Sequence, residues 1–208
     1  MFNRRQLTIG TGQALATATL APAITTLMAQ NAQAVEVNED GLHVQDWFLE
    51  SFMEIADEQA QLDEQGKHLA VIFEQRGCPY CREMHEVNFA KPEISEFIKK
   101  HFGVLQINIW GSKTVTDRDG SEYPEKQFSK KWRVNFTPTI VFLRKGDITD
   151  IPLSLAEAAR MPGYLKPFHF LSMFEYVAGN HYEDQVFQRF LQDKFERYKA
   201  EGKKPDIW

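Results

Sequence analysis

Two cysteines, Cys78 and Cys81, are the only ones in this chain of 208 residues, and they enclose just Pro79 and Tyr80. The run His68-Leu69-Ala70-Val71-Ile72-Phe73 leads into them, and Arg82-Glu83-Met84-His85-Glu86-Val87 leads out. The first run is nearly all apolar, as expected of a strand buried on both faces of a mostly parallel sheet. The second has helical character. A fold that accommodates both must put Cys78 at a helix N-terminus, at the end of a sheet strand. Unpaired amide donors and the positive end of the helix dipole stabilise an anion there. Pro79 suits the first helical position, where a missing N–H costs nothing. Cys78 is therefore expected to have a lowered pKa and to be the attacking, outward-facing thiolate. Cys81, one turn further in and less exposed, is placed to resolve a mixed disulfide by attacking the sulfur of Cys78.

Two plainer readings compete. A structural disulfide closing so short a loop restricts the unfolded chain little and stabilises weakly. A metal site could use Cys78, Cys81 and His85, which follows Cys81 on the same helix face. A closed zinc site needs a fourth ligand, however, and the chain offers neither another cysteine nor a second His at finger spacing. The reading adopted is redox, with no metal and no cofactor.

Residues 1–34 read as an export signal. Arg4 and Arg5 precede a mildly apolar stretch from Leu7 to Met28, Ala32-Gln33-Ala34 supplies a small-x-small cleavage site, and no acid occurs before Glu36. The paired arginines resemble a twin-arginine signal, although Asn3 and Thr8 depart from the usual flanks, which leaves the general secretory route open. If uncleaved, the segment would act as a membrane anchor. Its polarity, with Thr8, Gly10, Thr11, Gly12, Gln13, Thr17 and Thr19, argues against a membrane span. Cleavage after Ala34 leaves 174 of the 208 residues, a single-domain length, with 22 basic against 29 acidic residues and a net charge of −7. An acidic chain without a basic, aromatic-interleaved patch is not expected to bind nucleic acid. Export implies the periplasm, where a lone thiol pair tends to be oxidised unless something reduces it.

Further along, Val35 to Val44 reads as an extended lead-in. Asp46 is a candidate N-cap for a helix carrying Phe48, Phe52 and Ile55 and running to about Asp63. Pro92 opens a helix that ends near His101-Phe102-Gly103, and Val104 to Ile109 forms a strand. Residues Gly111 to Tyr123 read as a surface loop. A short helix from about Pro124 to Trp132 precedes strand Ile140 to Leu143, with a partner strand near Ile148 to Ile151. Two helices close the chain, one burying Phe168, Leu171, Met173, Phe174 and Val177. The other carries Val186, Phe187, Phe190, Leu191, Phe195 and Tyr198. Aromatic stripes of this kind are read as packing that covers the fold.

Strand, Cys-x-x-Cys, helix and a later Thr137-Pro138-Thr139 before a strand resemble the thioredoxin fold. The implied architecture is α/β, a central mixed sheet flanked by helices. It has an N-terminal helix, a core of about residues 68–178 and a C-terminal helical extension of about residues 182–200. The resemblance implies a cis bond at Thr137-Pro138 beside the sulfurs, with Thr137 pairing an incoming cysteine-containing segment. Gly77 to His85, Asn88-Phe89, Asn108-Ile109-Trp110-Gly111 and Phe136 to Thr139 are similar to the periplasmic thioredoxins of bacterial sulfur-oxidation (Sox) systems, the SoxW subgroup. That implies a thiol–disulfide oxidoreductase which reduces an exported client, the Sox sulfur carrier among the candidates. Its electrons would come from a membrane thiol transporter of the CcdA/DsbD type. Cys-Pro-Tyr-Cys also occurs in glutaredoxins, which are short, cytosolic and glutathione-dependent, unlike a chain with an export signal. A disulfide oxidase or isomerase of Dsb type is the alternative, because direction is set by potential. The family's buried carboxylate falls at Ile72 in this chain. Glu74, two residues on along the same strand face, is the substitute expected to accept the proton of Cys81, against the plainer reading of a solvated acid at a strand end. His85 is a second candidate, expected more simply as a surface helix residue.

Overall fold

The computed structural model describes residues 35–205. The proposed leader, residues 1–34, lies outside the described residues. The organising element is β1 (His68–Glu74), all seven of whose residues are buried. It lies between β2 (Phe102–Asn108), which runs parallel to it, and β5 (Thr139–Leu143), which runs antiparallel. With β6 (Glu157–Pro162) at the edge, the sheet order is β2-β1-β5-β6. Alternate side chains of a strand face opposite sides. Ala70 and Ile72 accordingly join Met84, Phe89, Phe142 and Phe174 in one core, and Leu69, Val71 and Phe73 join Leu105, Phe128, Trp132 and Val141 in the other. Each large side chain so buried contributes roughly 1.5–3 kcal/mol. This is why a run with no polar alternation became the centre of the sheet.

α2 (Pro79–Glu83) continues without interruption into a π-helical turn over Met84–Phe89. It is followed by α3 (Pro92–His101), and α6 (Pro167–Ala178) packs in the same core. α1 (Ile55–Glu64) and α4 (Glu125–Lys131) contribute Ile55, Leu62 and Phe128 to the opposite core. α7 (Phe187–Ala200) adds Phe190 to the core that holds Phe174 of α6. The mixed sheet flanked by helices, with a C-terminal helix beyond it, is the expected architecture.

Several expected elements differ. The N-terminal helix begins only at Ile55. Ahead of it, Leu49 donates its N–H to Val104 O at 2.9 Å, Met53 takes φ +63°, and Glu54 bridges to Thr116, so the chain is held extended as a strap. Asp46 caps nothing, and Phe52 is 93% exposed. β2 starts at Phe102 rather than Val104, which places Gly103 in the strand and not at a helix end. A Cβ there would stand 2.7 Å from both Leu62 methyls. The supposed surface loop after β2 contains a hairpin, β3 (Thr114–Thr116) with β4 (Glu122–Pro124). It is drawn inward by buried Val115, Asp117 and Arg118, the guanidinium donating to Ile148 O at 2.6 Å and Ile151 O at 3.0 Å. Those carbonyls leave no strand at Ile148 to Ile151. Instead a short α5 (Leu153–Ala156) feeds β6, which pairs with β5.

Candidate active site

Backbone geometry at the end of β1 turns the chain sharply. Gly77 has φ +71°, a left-handed conformation that glycine adopts at no steric cost. Cys78 follows as the extended N-cap of α2 (φ −75°, ψ 112°), with Pro79 in the first turn. Cys78 O accepts the first helical bond from Arg82 N–H at 3.1 Å. Cys78 and Cys81 form a disulfide, with Cα atoms 5.2 Å apart.

Two donors from separate elements converge on Cys78 Sγ. Cys81 N–H, from the helix, lies at 3.1 Å, and Thr137 Oγ1, from the loop before β5, lies at 3.3 Å. The Thr137–Pro138 peptide bond is cis, and Pro138 O accepts from Gly163 N–H at 2.7 Å, which ties that loop to β6. Both donors suit a sulfur that carries negative charge once the disulfide is reduced.

The expected outward-facing Cys78 is only 5% exposed, against 1% for Cys81. The order of exposure is as expected, but the first sulfur sits in a recess, because Thr137 leans over it. Exposed surface lies around the recess instead. Tyr80 is 58% exposed, Trp110 61% and Phe136 54%. Trp110 is oriented by its Nε1–H to Gln75 Oε1 (2.7 Å) and by Lys126 Nζ, 4.7 Å from its ring. Tyr80 stacks on Tyr164, ring centroids 6.3 Å apart.

Behind the cysteines the structure corrects two plainer expectations. Glu74 is not a solvated strand-end acid, and His85 is not a surface residue: both are buried. The π turn brings Met84, His85, Asn88 and Phe89 to the inside together. His85 Nε2 lies 3.2 and 3.3 Å from the two Glu74 carboxylate oxygens, and Nδ1 lies 3.1 Å from Gln45 Nε2. All groups are satisfied when Nε2–H donates to Glu74 and Nδ1 accepts from Gln45. Gln106 Nε2–H also donates to Glu74, and to His43 O at 2.7 Å. His43, with its ring centroid 5.7 Å from that of His85, has its pKa lowered first by burial and then by His85. Both ring nitrogens of His85 are thus engaged, so the Cys78, Cys81, His85 metal reading would have to break existing bonds. Among the described residues no group of three or more His, Cys, Asp or Glu is placed to hold a metal. Gln45, Gln106 and His43 were not singled out in the sequence. Nothing in their spacing signals that they gather around the Glu74–His85 pair.

The thioredoxin-like domain family matches residues 55–178. Solved structures with a similar fold include a thioredoxin-fold protein from Helicobacter pylori, 25% identical, covering 64% of this chain and 83% of that one (TM-score 0.49). A thioredoxin from Thermus thermophilus is 24% identical and covers 58% of this chain and 81% of that one (TM-score 0.45). The oxidised DsbD C-terminal domain from Neisseria meningitidis is 18% identical, covering 58% and 90% (TM-score 0.41). No curated protein matches the chain.

Proposed function

Because this chain belongs to the thioredoxin-like family, we propose that it is a thiol–disulfide oxidoreductase that reduces disulfides on exported client proteins. The observation that carries this is the convergence of Cys81 N–H and Thr137 Oγ1 on Cys78 Sγ. It provides hydrogen bonds for a thiolate at the more exposed cysteine of the pair.

In the reduced protein, Cys78 thiolate attacks one sulfur of a client disulfide. The client S–S bond breaks, one client sulfur leaves as thiolate, and a Cys78–client disulfide forms. Cys81 then loses its thiol proton, with Glu74 as the acceptor at the end of β1, and its sulfur attacks Cys78 Sγ. The Cys78–client bond breaks, the client departs as a dithiol after protonation, and Cys78–Cys81 is left as the disulfide. A thiol donor returns two electrons for the next cycle. Thr137 and the exposed Phe136 beside it offer the incoming segment a backbone edge and an apolar contact, a short form of strand addition.

The finer assignment follows the sequence: the residue 1–34 signal supports the periplasm. The motifs shared with the SoxW subgroup support a client in sulfur oxidation and a CcdA/DsbD-type membrane reductant. The test is insulin-disulfide reduction together with the potential of the Cys78–Cys81 couple. The proposal expects catalysis abolished by Cys78→Ser and a potential nearer about −270 mV than about −120 mV. No rate above the chemical reductant alone, or a potential at the oxidising end, would count against it.

A further inference from the structure

The strap ahead of α1 grips the active site at two levels. Its Asp40 and Glu39 carbonyls accept from the Arg76 guanidinium at 3.2 and 3.4 Å, just before the Gly77 turn. Gly41 lies so close beneath Arg76 that a Cβ would stand 2.4 Å from its Nε. Deeper in, Gln45 holds His85 Nδ1 at 3.1 Å, and Phe48 packs edge-on against the His85 ring, centroids 5.7 Å apart.

Gln45 is the informative partner. Its amide has a donor end and an acceptor end. With Nδ1 bare, the NH2 donates to it. With Nδ1 protonated, the amide turned over presents its oxygen. The Glu74–His85 pair is therefore hydrogen-bonded with or without one extra proton, in a buried place where an unmatched state would be costly. A salt link needed only for packing has no use for that second state. His85 also lies one turn beyond Cys81 in the same unbroken helical segment. The His43 ring stands beside that of His85, centroids 5.7 Å apart, and Glu74, Glu86 and Arg82 also act on His43. Burial first, and then His85, lower the pKa of His43.

We propose that His85, latched by Gln45 of the strap, is a positioning residue for the second half-reaction, sharing with Glu74 the proton that Cys81 releases. This rests on the thiol-exchange reading above. In the step, the Cys81 S–H proton passes into the Glu74–His85 pair and the Cys81 Sγ electron pair forms the bond to Cys78 Sγ. The bond from Cys78 to the outgoing sulfur breaks, and its electron pair leaves with that thiolate.

Dithiobis(nitrobenzoate) separates the two steps. Reduced protein should release one coloured thiolate when Cys78 attacks and a second when Cys81 resolves the adduct. His85→Gln keeps an N–H donor where Nε2 stood but cannot take up a proton. It should slow the second phase at least tenfold, leave the first phase within twofold of wild type, and melt within a few degrees of it. Gln45→Leu leaves Glu74 and His85 in place and should slow the same phase by a smaller factor, which keeps the test sharp if His85→Gln folds badly. A second phase at the wild-type rate in both variants overturns the role of His85. Failure of the wild type to release the first thiolate overturns the thiol-exchange reading, and this inference with it.

Discussion

Thr137→Val removes one of the two donors to Cys78 Sγ while keeping the shape of the loop. The lost bond is an O–H to a sulfur at 3.3 Å. Hydrogen bonds to charged groups contribute about 1.5–3 kcal/mol, and sulfur is a weak acceptor, so about 1–2 kcal/mol of thiolate stabilisation is at stake. At 1.4 kcal/mol per tenfold, the thiolate fraction falls about 5–30-fold wherever the thiol is incompletely ionised. The more basic thiolate is also the better nucleophile, with a Brønsted slope near 0.4–0.5, so about half of that loss in logarithm is recovered. The net expectation is alkylation by iodoacetamide slowed about 2–6-fold at acidic pH. In strongly alkaline solution, where both proteins are fully ionised, it should be faster than wild type by a similar factor. The two pH–rate curves should therefore cross. The assay is pseudo-first-order alkylation of the reduced protein, read by mass at Cys78. Superimposable curves would refute the donor role of Thr137. A variant slower at every pH would show that the hydroxyl acts through access or packing instead.

Other expectations concern the scaffold. His68 is buried, and burial first, then Lys145, lower its pKa to about 4. The neutral ring is the folded form. Above pH 6.5 it imposes no penalty, and as pH falls towards 4 the unfolded chain takes up the proton first. Between pH 7 and 5 the wild type should lose about 2 kcal/mol relative to His68→Phe in urea unfolding; parallel pH profiles would contradict this. Gly103→Ala forces a Cβ onto Leu62 and should cost about 1–3 kcal/mol, seen as a melting temperature lower by about 3–10 °C. Lys194 is buried against Glu175, Ser172 and the Phe168 ring. Lys194→Met should be close to neutral in melting, whereas Glu175→Ala, which leaves the buried cation unpaired, should be clearly destabilising.

The strand and helix around the cysteines were legible because their patterns match their surroundings. The run at His68 to Phe73 is apolar because both faces are covered, and Pro79 marks the helix start. Thr137 and Pro138 were found by resemblance, and the structure brings Thr137 against Cys78. β6 was not legible: Glu157-Ala158-Ala159-Arg160 shows neither alternation nor β-branching, and it is a strand because β5 offers it an edge. The strap was misread as a helix because Phe48, Phe52 and Ile55 have helical spacing. Tertiary bonds such as Leu49 to Val104 prevail over that local preference. The burial of Glu74 and His85 was hidden for a similar reason. It depends on a π turn and on two residues distant in sequence, Gln45 at the His85 ring and Gln106 at the Glu74 carboxylate.

The central claim, that Cys78 attacks and Cys81 releases, is tested most directly by Cys81→Ser challenged in reduced form with a disulfide-bonded protein such as insulin. Intact mass after peptide mapping should show the client joined through Cys78 and accumulating, while Cys78→Ser captures nothing under the same conditions. Adducts on residue 81 in Cys78→Ser, or none in either variant while the unaltered protein still turns over, would contradict it.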